Sequence, residues 1–232
     1  MVFLFFMVFS CKKEVNKIVF ATTNITTPDN TIVEINIPKA LGDSKISETI
    51  NIEILKTVKL ALTENMLEAR QPETVAESII AFNREYTDFM TDFPDSAQIW
   101  EAQIDGEIML QTPEVISLSV TSYINTGGAH GSLYITLLNF DALTGKSIPN
   151  TTLFNNVEAF KTVARTHFNE AVKDDTMLFE PLNFELPQNI GYNEDGLVLL
   201  YNTYEIAPYA SGIIEFKIPY DEISGLLTFK HP

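Results

Sequence analysis

The chain has 232 residues, with 31 acidic side chains against 15 basic ones and a formal net charge of −16. At 45% hydrophobic and 11% aromatic it carries enough apolar surface to bury a core, which excludes global disorder. So acidic a chain excludes docking on nucleic acid or anionic lipid through basic surface. A single Cys, Cys11, excludes a disulfide framework and a Cys-based zinc site.

Met1 to Phe9 is an unbroken apolar run followed by Ser10-Cys11-Lys12-Lys13-Glu14. Nine residues are too few to cross a ~30 Å hydrocarbon core as a helix, but they suit the apolar region of a signal peptide. Val8-Phe9-Ser10-Cys11 resembles a bacterial lipobox, in the looser form found in Bacteroidota, although Phe9 is bulkier than that pattern usually has. The resemblance implies cleavage before Cys11 and acylation of its thiol, which would anchor an exported protein to a membrane through lipid. The expected organisation is a signal peptide over 1–10, a polar Thr/Asn-rich tether over 11–27, and two α+β sub-domains over 28–146 and 147–232.

In chain order, Val33, Ile35 and Ile37 alternate with polar residues and predict a half-buried strand. Gly42, Asp43 and Ser44 offer turn and N-cap chemistry. Ile46, Ile50, Ile54, Val58 and Leu62 then recur every fourth residue, the stripe of a helix ending before Asn65. Pro72 suits the first turn of a second helix, whose face carries Val75, Ile79, Phe82, Tyr86 and Phe89 and which stops at Phe93-Pro94. The period then changes to two. Trp100 to Asp105, Ile116 to Thr121 and Leu133 to Leu137 predict an antiparallel meander, with a bend at Gly106. Asp141 to Lys146 reads as a hairpin turn in which Gly145 takes the positive φ. A third helix begins near Asn155, with Glu158 as a capping-box signal and Val157, Phe160, Ala164, Phe168 and Ala171 inward, and closes at Asp174-Asp175. Phe184 to Tyr192 reads as irregular or as a short strand. Strands at Gly196–Tyr201 and around Phe216 follow, and a short turn over Asp221–Leu227 ends the domain. Strands and helices come in runs, so the class is α+β, with antiparallel sheets packed against about three helices.

Two segments carry candidate chemistry. Thr126-Gly127-Gly128-Ala129-His130-Gly131 lies between two strands, and its glycines let the backbone turn tightly and expose amides. No Gly-Lys-Ser/Thr follows it, so it is not a phosphate loop. His130 is either a ligand contact or a satisfier of backbone carbonyls. Ser132 near it has no orienting acid, which speaks against Ser/His nucleophilic chemistry. The other histidines, His167 beside the third helix's stripe and His231 near the end, are dispersed and show no metal-ligand spacing. In the second segment, Tyr201 to Gly212, tyrosines cluster around Glu205. They either form a recognition surface or pack a loop over the sheet. Charge is uneven too: from Glu73 to Asp141 there are eleven acids and one base, Arg84. That segment is either a solvated face or a field that steers a cationic partner.

Taken in order, Thr126-Gly-Gly-Ala-His-Gly131, Asn139-Phe-Asp141, Thr144-Gly-Lys146, Leu153-Phe154, Tyr204-Glu-Ile-Ala-Pro-Tyr-Ala-Ser-Gly212 and Ile218-Pro-Tyr220 resemble the bacterial extracytoplasmic module called domain of unknown function 3298. Its usual N-terminal companion is domain of unknown function 4163, and the resemblance spans about residues 30 to 226. It implies three contexts: the extracellular part of RsiV-type anti-sigma factors, which bind lysozyme; PdaC-type peptidoglycan deacetylases, ahead of the catalytic domain; and stand-alone lipoproteins. The sequence shows neither a deacetylase domain with metal-binding Asp/His/His nor a sigma-binding segment, and fits the third context.

The resulting expectation is a non-catalytic envelope lipoprotein without cofactor or metal, lipid-anchored at Cys11, in the outer membrane by preference, and facing the periplasm or the exterior. Its partner would be a cationic, lysozyme-like protein or a peptidoglycan glycan, held by Gly127, Gly128, His130, Gly131, Tyr201, Tyr204, Glu205 and Tyr209. This requires the two segments to converge on one exposed surface. The rival readings are a cell-wall glycan hydrolase or deacetylase-associated enzyme using His130, and a purely structural lipoprotein.

Overall fold

The computed structural model describes residues 17–42, 44–63, 72–172 and 176–230. The lipobox with Cys11, Asp43, Asp174-Asp175 and His231 lie outside the described residues.

A five-stranded sheet holds β1 (Phe20–Asn24), β2 (Val33–Ala40), β3 (Glu101–Gln111), β4 (Val115–Asn125) and β5 (Ser132–Asp141), in that spatial order. β3, β4 and β5 are the expected meander, antiparallel throughout and longer than the alternation alone suggested. Gly106 does not bend β3, which continues through it; a Cβ there would lie 2.6 Å from Pro38 Cδ, so this glycine serves the close approach of β2. β2 pairs with β3 in parallel, which requires a crossover. Two helices supply it, α1 (Lys45–Thr63) and α2 (Val75–Asp92). β1 corrects the tether boundary: Phe20 to Asn24 is an edge strand antiparallel to β2. It was invisible as a periodic pattern because none of its five residues is buried and backbone pairing alone defines it.

Four of the five residues of the predicted α1 stripe are buried, with Ile50, Ile54, Val58 and Leu62 all at 2% exposure or less, and Ile46 in the first turn is half-buried. It packs with Val75, Ile79 and Phe82 of α2 onto Ile116, Leu118 and Val120, one face of β4. Farther along α2, Tyr86 and Phe89 are only half-buried and lean on Trp100. α2 starts with a full capping box: Thr74 accepts from the Glu77 amide and Glu77 accepts from the Thr74 amide, so Thr74 rather than Pro72 sets the start.

The second unit holds α3 (Val157–Ala171), a three-stranded antiparallel sheet of β6 (Asn189–Tyr192), β7 (Gly196–Tyr201) and β8 (Ile214–Pro219), and the short α4 (Tyr220–Ile223). The cap of α3 is Asn156, whose side chain accepts from the Ala159 amide, one residue later than expected. Phe160, Ala164 and Phe168 face the core as predicted, whereas Val157 is exposed in the first turn and Ala171 in the last. His167 Nε2 lies 2.9 Å from Glu222 Oε2 and ties α3 to α4. Between the units, the Asp141–Lys146 turn forms as predicted, with Gly145 at φ +71° and its amide on the Asp141 carbonyl at 2.8 Å. The architecture is thus α+β, with two sheets and four helices among the described residues.

The two sheets are joined by buried polar side chains. The outer edge of β5 would leave backbone groups unpaired, and Asn189 of β6 and Asn202, just after β7, meet them. Asn202 accepts from the Ile135 amide at 2.9 Å and donates to the Ile135 carbonyl at 2.8 Å, while Asn189 accepts from the Leu137 amide at 2.8 Å. The free edge of β6 is met in turn. The Tyr192 amide donates to Ser117 Oγ at 3.0 Å, Ser117 donates to Asn139 Oδ1 at 2.8 Å, and Asn139 Nδ2 donates to the Ile190 carbonyl at 2.6 Å. All four side chains are at most 3% exposed. A buried amide or carbonyl left without a partner is costly, so these contacts hold the sheets in one register.

Two tests follow from this packing. Asn202→Ala strands both backbone groups of Ile135 and is expected to destabilise the fold by about 1–3 kcal/mol in urea unfolding. Tyr192 is buried with no hydrogen-bond partner for its hydroxyl among the described residues, whereas the Tyr201 hydroxyl donates to the Glu185 carbonyl. Tyr192→Phe is therefore expected to be neutral or stabilising and Tyr201→Phe destabilising, by about 1 kcal/mol each way.

Burial also pushes the phenols of Tyr192, Tyr201 and Tyr220 well above the ordinary value of 10.0, aided at Tyr201 by the charges of Glu205 and Glu185. Below pH 10 these phenols are protonated in both folded and unfolded chains, and their packing contributes fully. Above it the unfolded chain releases protons that the folded chain keeps, so stability falls as pH rises. A titration at 295 nm is expected to show these tyrosines ionising together with alkaline unfolding.

Candidate functional site

The β4–β5 turn runs from Asn125 to Gly131. Gly127 and Gly128 take φ +90° and +94°, conformations that strain any side chain, and Asn125 Oδ1 accepts from the Gly127 amide at 3.0 Å. Gly131 is buried, and a Cβ on it would sit 2.4 Å from the Tyr123 ring. The absence of a side chain lets the Tyr123 ring lie against the turn. His130 is exposed at the tip, and its Nδ1 lies 3.1 Å from the Gly131 carbonyl. A carbonyl only accepts, so this contact assigns the hydrogen of a neutral ring to Nδ1 and leaves Nε2 as the acceptor.

The second loop, from Asn202 to Gly212, comes to the same place. The Tyr209 ring stacks on His130 with centroids 3.7 Å apart and planes 14° from parallel. Its hydroxyl donates to the same Gly131 carbonyl at 3.2 Å. Tyr204 stands beside it, its ring centroid 5.8 Å from that of Tyr209. Tyr204 is 60% exposed and has φ +66°, a conformation that costs a side-chain-bearing residue about 1–2 kcal/mol.

The two sequence segments therefore converge, but not all their residues do. His130 and Tyr204, both exposed, and the half-buried Tyr209 form one aromatic surface at the glycine turn, tied to it at the Gly131 carbonyl. Tyr201 does not reach it: as the last residue of β7 it is 2% exposed, edge-on to Phe168 at 5.6 Å. Glu205 braces the loop from beneath. One carboxylate oxygen accepts from the Asn202 amide at 2.9 Å and the other from the Gln188 amide at 3.0 Å. Sequence reasoning missed Tyr123 and Gln98, which pack under Gly131 and Gly127. Alternation along β4 names Tyr123 as a strand residue but not as the support of the turn.

Some of the acidic segment serves the fold. Glu77 caps α2, Asp141 accepts from the Leu143 and Thr144 amides at 2.9 Å, and Glu114 accepts from the Lys230 amide. No group of three or more His, Cys, Asp or Glu that could hold a metal ion occurs among the described residues. Among those residues, no helix is long and apolar enough to cross a membrane.

Two edge-joined sheets, each with helices packed against it, and a two-loop aromatic surface define an α+β module. Residues 142–221 match the family model described as protein of unknown function (DUF3298), and residues 25–133 match the one described as deacetylase PdaC. The fold is similar to that of a DUF3298 family member from Bacteroides fragilis NCTC 9343, at 20% identity over 91% of this chain and 94% of that one, with a TM-score of 0.67. It is also similar to a DUF3298 family protein from Pseudomonas aeruginosa PAO1, at 20% identity over 90% and 93% of the two chains, with a TM-score of 0.58. No curated protein matches the chain.

Tyr204→Gly relieves the positive φ and is expected to raise stability by about 1 kcal/mol, read as a higher denaturation midpoint with an unchanged slope.

Proposed function

We propose that this chain is a non-catalytic binding module of the bacterial cell envelope, anchored through lipid on Cys11. It captures a cationic protein of lysozyme-like character on the surface formed by His130, Tyr204 and Tyr209. The observation that carries the reading is Tyr204, an exposed tyrosine kept in a strained conformation beside a His130–Tyr209 stack. Strain at an exposed aromatic residue gives the fold nothing, so its use is sought in recognition. Tyrosine supplies large, rigid contact area at low entropy cost and is enriched at the centres of interfaces. The net charge of −16 favours a basic partner and speeds its approach. The likeness to DUF3298 and PdaC models supports an extracytoplasmic setting, and the apolar run before Cys11 supports export.

A cell-wall glycan is the second occupant this surface suits, since sugars also lie on aromatic rings. The hydrolase reading has less support: His130 spends one ring face on Tyr209 and its Nδ1 on a backbone carbonyl.

The test is pull-down of lysozyme by the mature domain over a range of salt concentrations. Binding is expected at low salt and should weaken as salt rises. Tyr204→Ala and Tyr209→Ala should each lower affinity at least tenfold, on the scale of an interface hot spot. Absence of binding at low salt overturns the lysozyme reading, and insoluble peptidoglycan in a parallel assay examines the glycan. Tyr204→Gly separates the roles: a protein that is more stable yet binds poorly is the expected result.

A further inference from the structure

On the other side of the Asn202–Gly212 loop lies a cleft of about 290 Å³ between that loop, α3 and the segment after α3. It shares Glu205, the brace of that loop, with the His130 surface, but none of His130, Tyr204 and Tyr209 lines it. Its walls are aromatic: Phe168, Phe179, Phe184 and Tyr201 line it. Phe168 packs against Phe184 at 5.2 Å and Tyr201 at 5.6 Å, and the backbone of Phe179 is held to the loop, its amide donating to the Ile206 carbonyl at 2.9 Å. Carboxylates close the cleft, from Glu180, Glu185 and Glu205.

These carboxylates differ. Glu185 is paired with Lys161 at 2.7 Å. Glu205 is held by the two neutral amides of Asn202 and Gln188, so its orientation is set while its charge is kept. Glu180 accepts from the neutral Asn183 amide group at 3.2 Å. The negative potential reaches into the cleft, for the charges of Glu205 and Glu185 add to burial in opposing ionisation of Tyr201. Aromatic faces and carboxylates have one preferred guest in common. A cation gains from the ring quadrupoles and from the anionic rim, and its alkyl stem is covered by the apolar walls.

We propose that this cleft is a binding site for a small aliphatic amine in its ammonium form. The volume suits one short alkyl chain with a single charged head, at the low end of the range for ligand pockets. Phe179, 56% exposed in the free protein, forms the outer wall and would be covered by the guest.

The probe is n-butylammonium chloride, titrated into the protein at constant ionic strength and followed by amide NMR shifts, with n-butanol as the neutral counterpart. Saturable shifts at Phe179 and Ile206 with a millimolar Kd are expected for so small a ligand, and at least tenfold weaker binding of n-butanol. Phe179→Ala and Glu180→Gln lie at the rim, away from the sheet joint. Each should weaken the amine at least fivefold while leaving the melting temperature and lysozyme capture unchanged. Equal binding of butanol overturns the proposal, as does an affinity that neither variant alters. Nα-acetyl-lysine amide distinguishes the source: its binding in place of butylammonium overturns the free-amine assignment in favour of a lysine side chain.

Discussion

The joint between the two sheets rests on asparagine side chains at two sheet edges. β5 ends the five-stranded sheet and β6 ends the three-stranded one, and each presents backbone groups that need partners. Asn202 and Asn189 serve the first edge, while Asn139 with Ser117 serves the second. A carboxamide suits this use because it offers both a donor and an acceptor and can imitate a neighbouring strand. The edges are thereby closed to foreign strands as well as joined to each other.

The aromatic surface inherits its geometry from that joint. Asn202 is the first residue of the loop that presents Tyr204 and Tyr209, and its side chain is fixed on Ile135 of the strand that follows the glycine turn. Both loops are thus referred to the same backbone. Glu205 completes the brace by holding the amides at its own end of the loop and at Gln188. With the loop held at both points, Tyr204 can be kept in a conformation it would not choose, and the His130–Tyr209 stack can form across 79 positions of sequence.

Much of this was legible before the fold was known. The four-residue stripe of α1, the period-two meander and the Gly145 turn are local patterns, and local patterns survive in sequence. What was not legible depends on partners far away in the chain. β1 has no buried side chain, so nothing in Phe20–Asn24 marks it as a strand. The parallel pairing of β2 with β3 follows from the two-helix crossover, not from either strand's composition. Nothing in the local pattern marks Asn139, Asn189 and Asn202 as inward-facing, and their burial appears only when two edges meet. The site was half legible. Ordered motifs pointed to both loops, but tyrosine spacing could not tell Tyr204, which faces solvent, and Tyr209, which stacks on His130, from Tyr201, which faces Phe168.

β4 is the strand that both halves share. Ile116, Leu118 and Val120 on one face belong to the core beneath the helices, and Val115 on the other belongs to the core of the second unit, with Ser117 beside it in the joint. Neither core is complete without this strand, although the two family matches divide the chain after it. The halves are consequently bound to a common fate in unfolding. Loss of β4 order withdraws a wall from both at once, so the pair should melt with a single calorimetric enthalpy and behave as one cooperative unit.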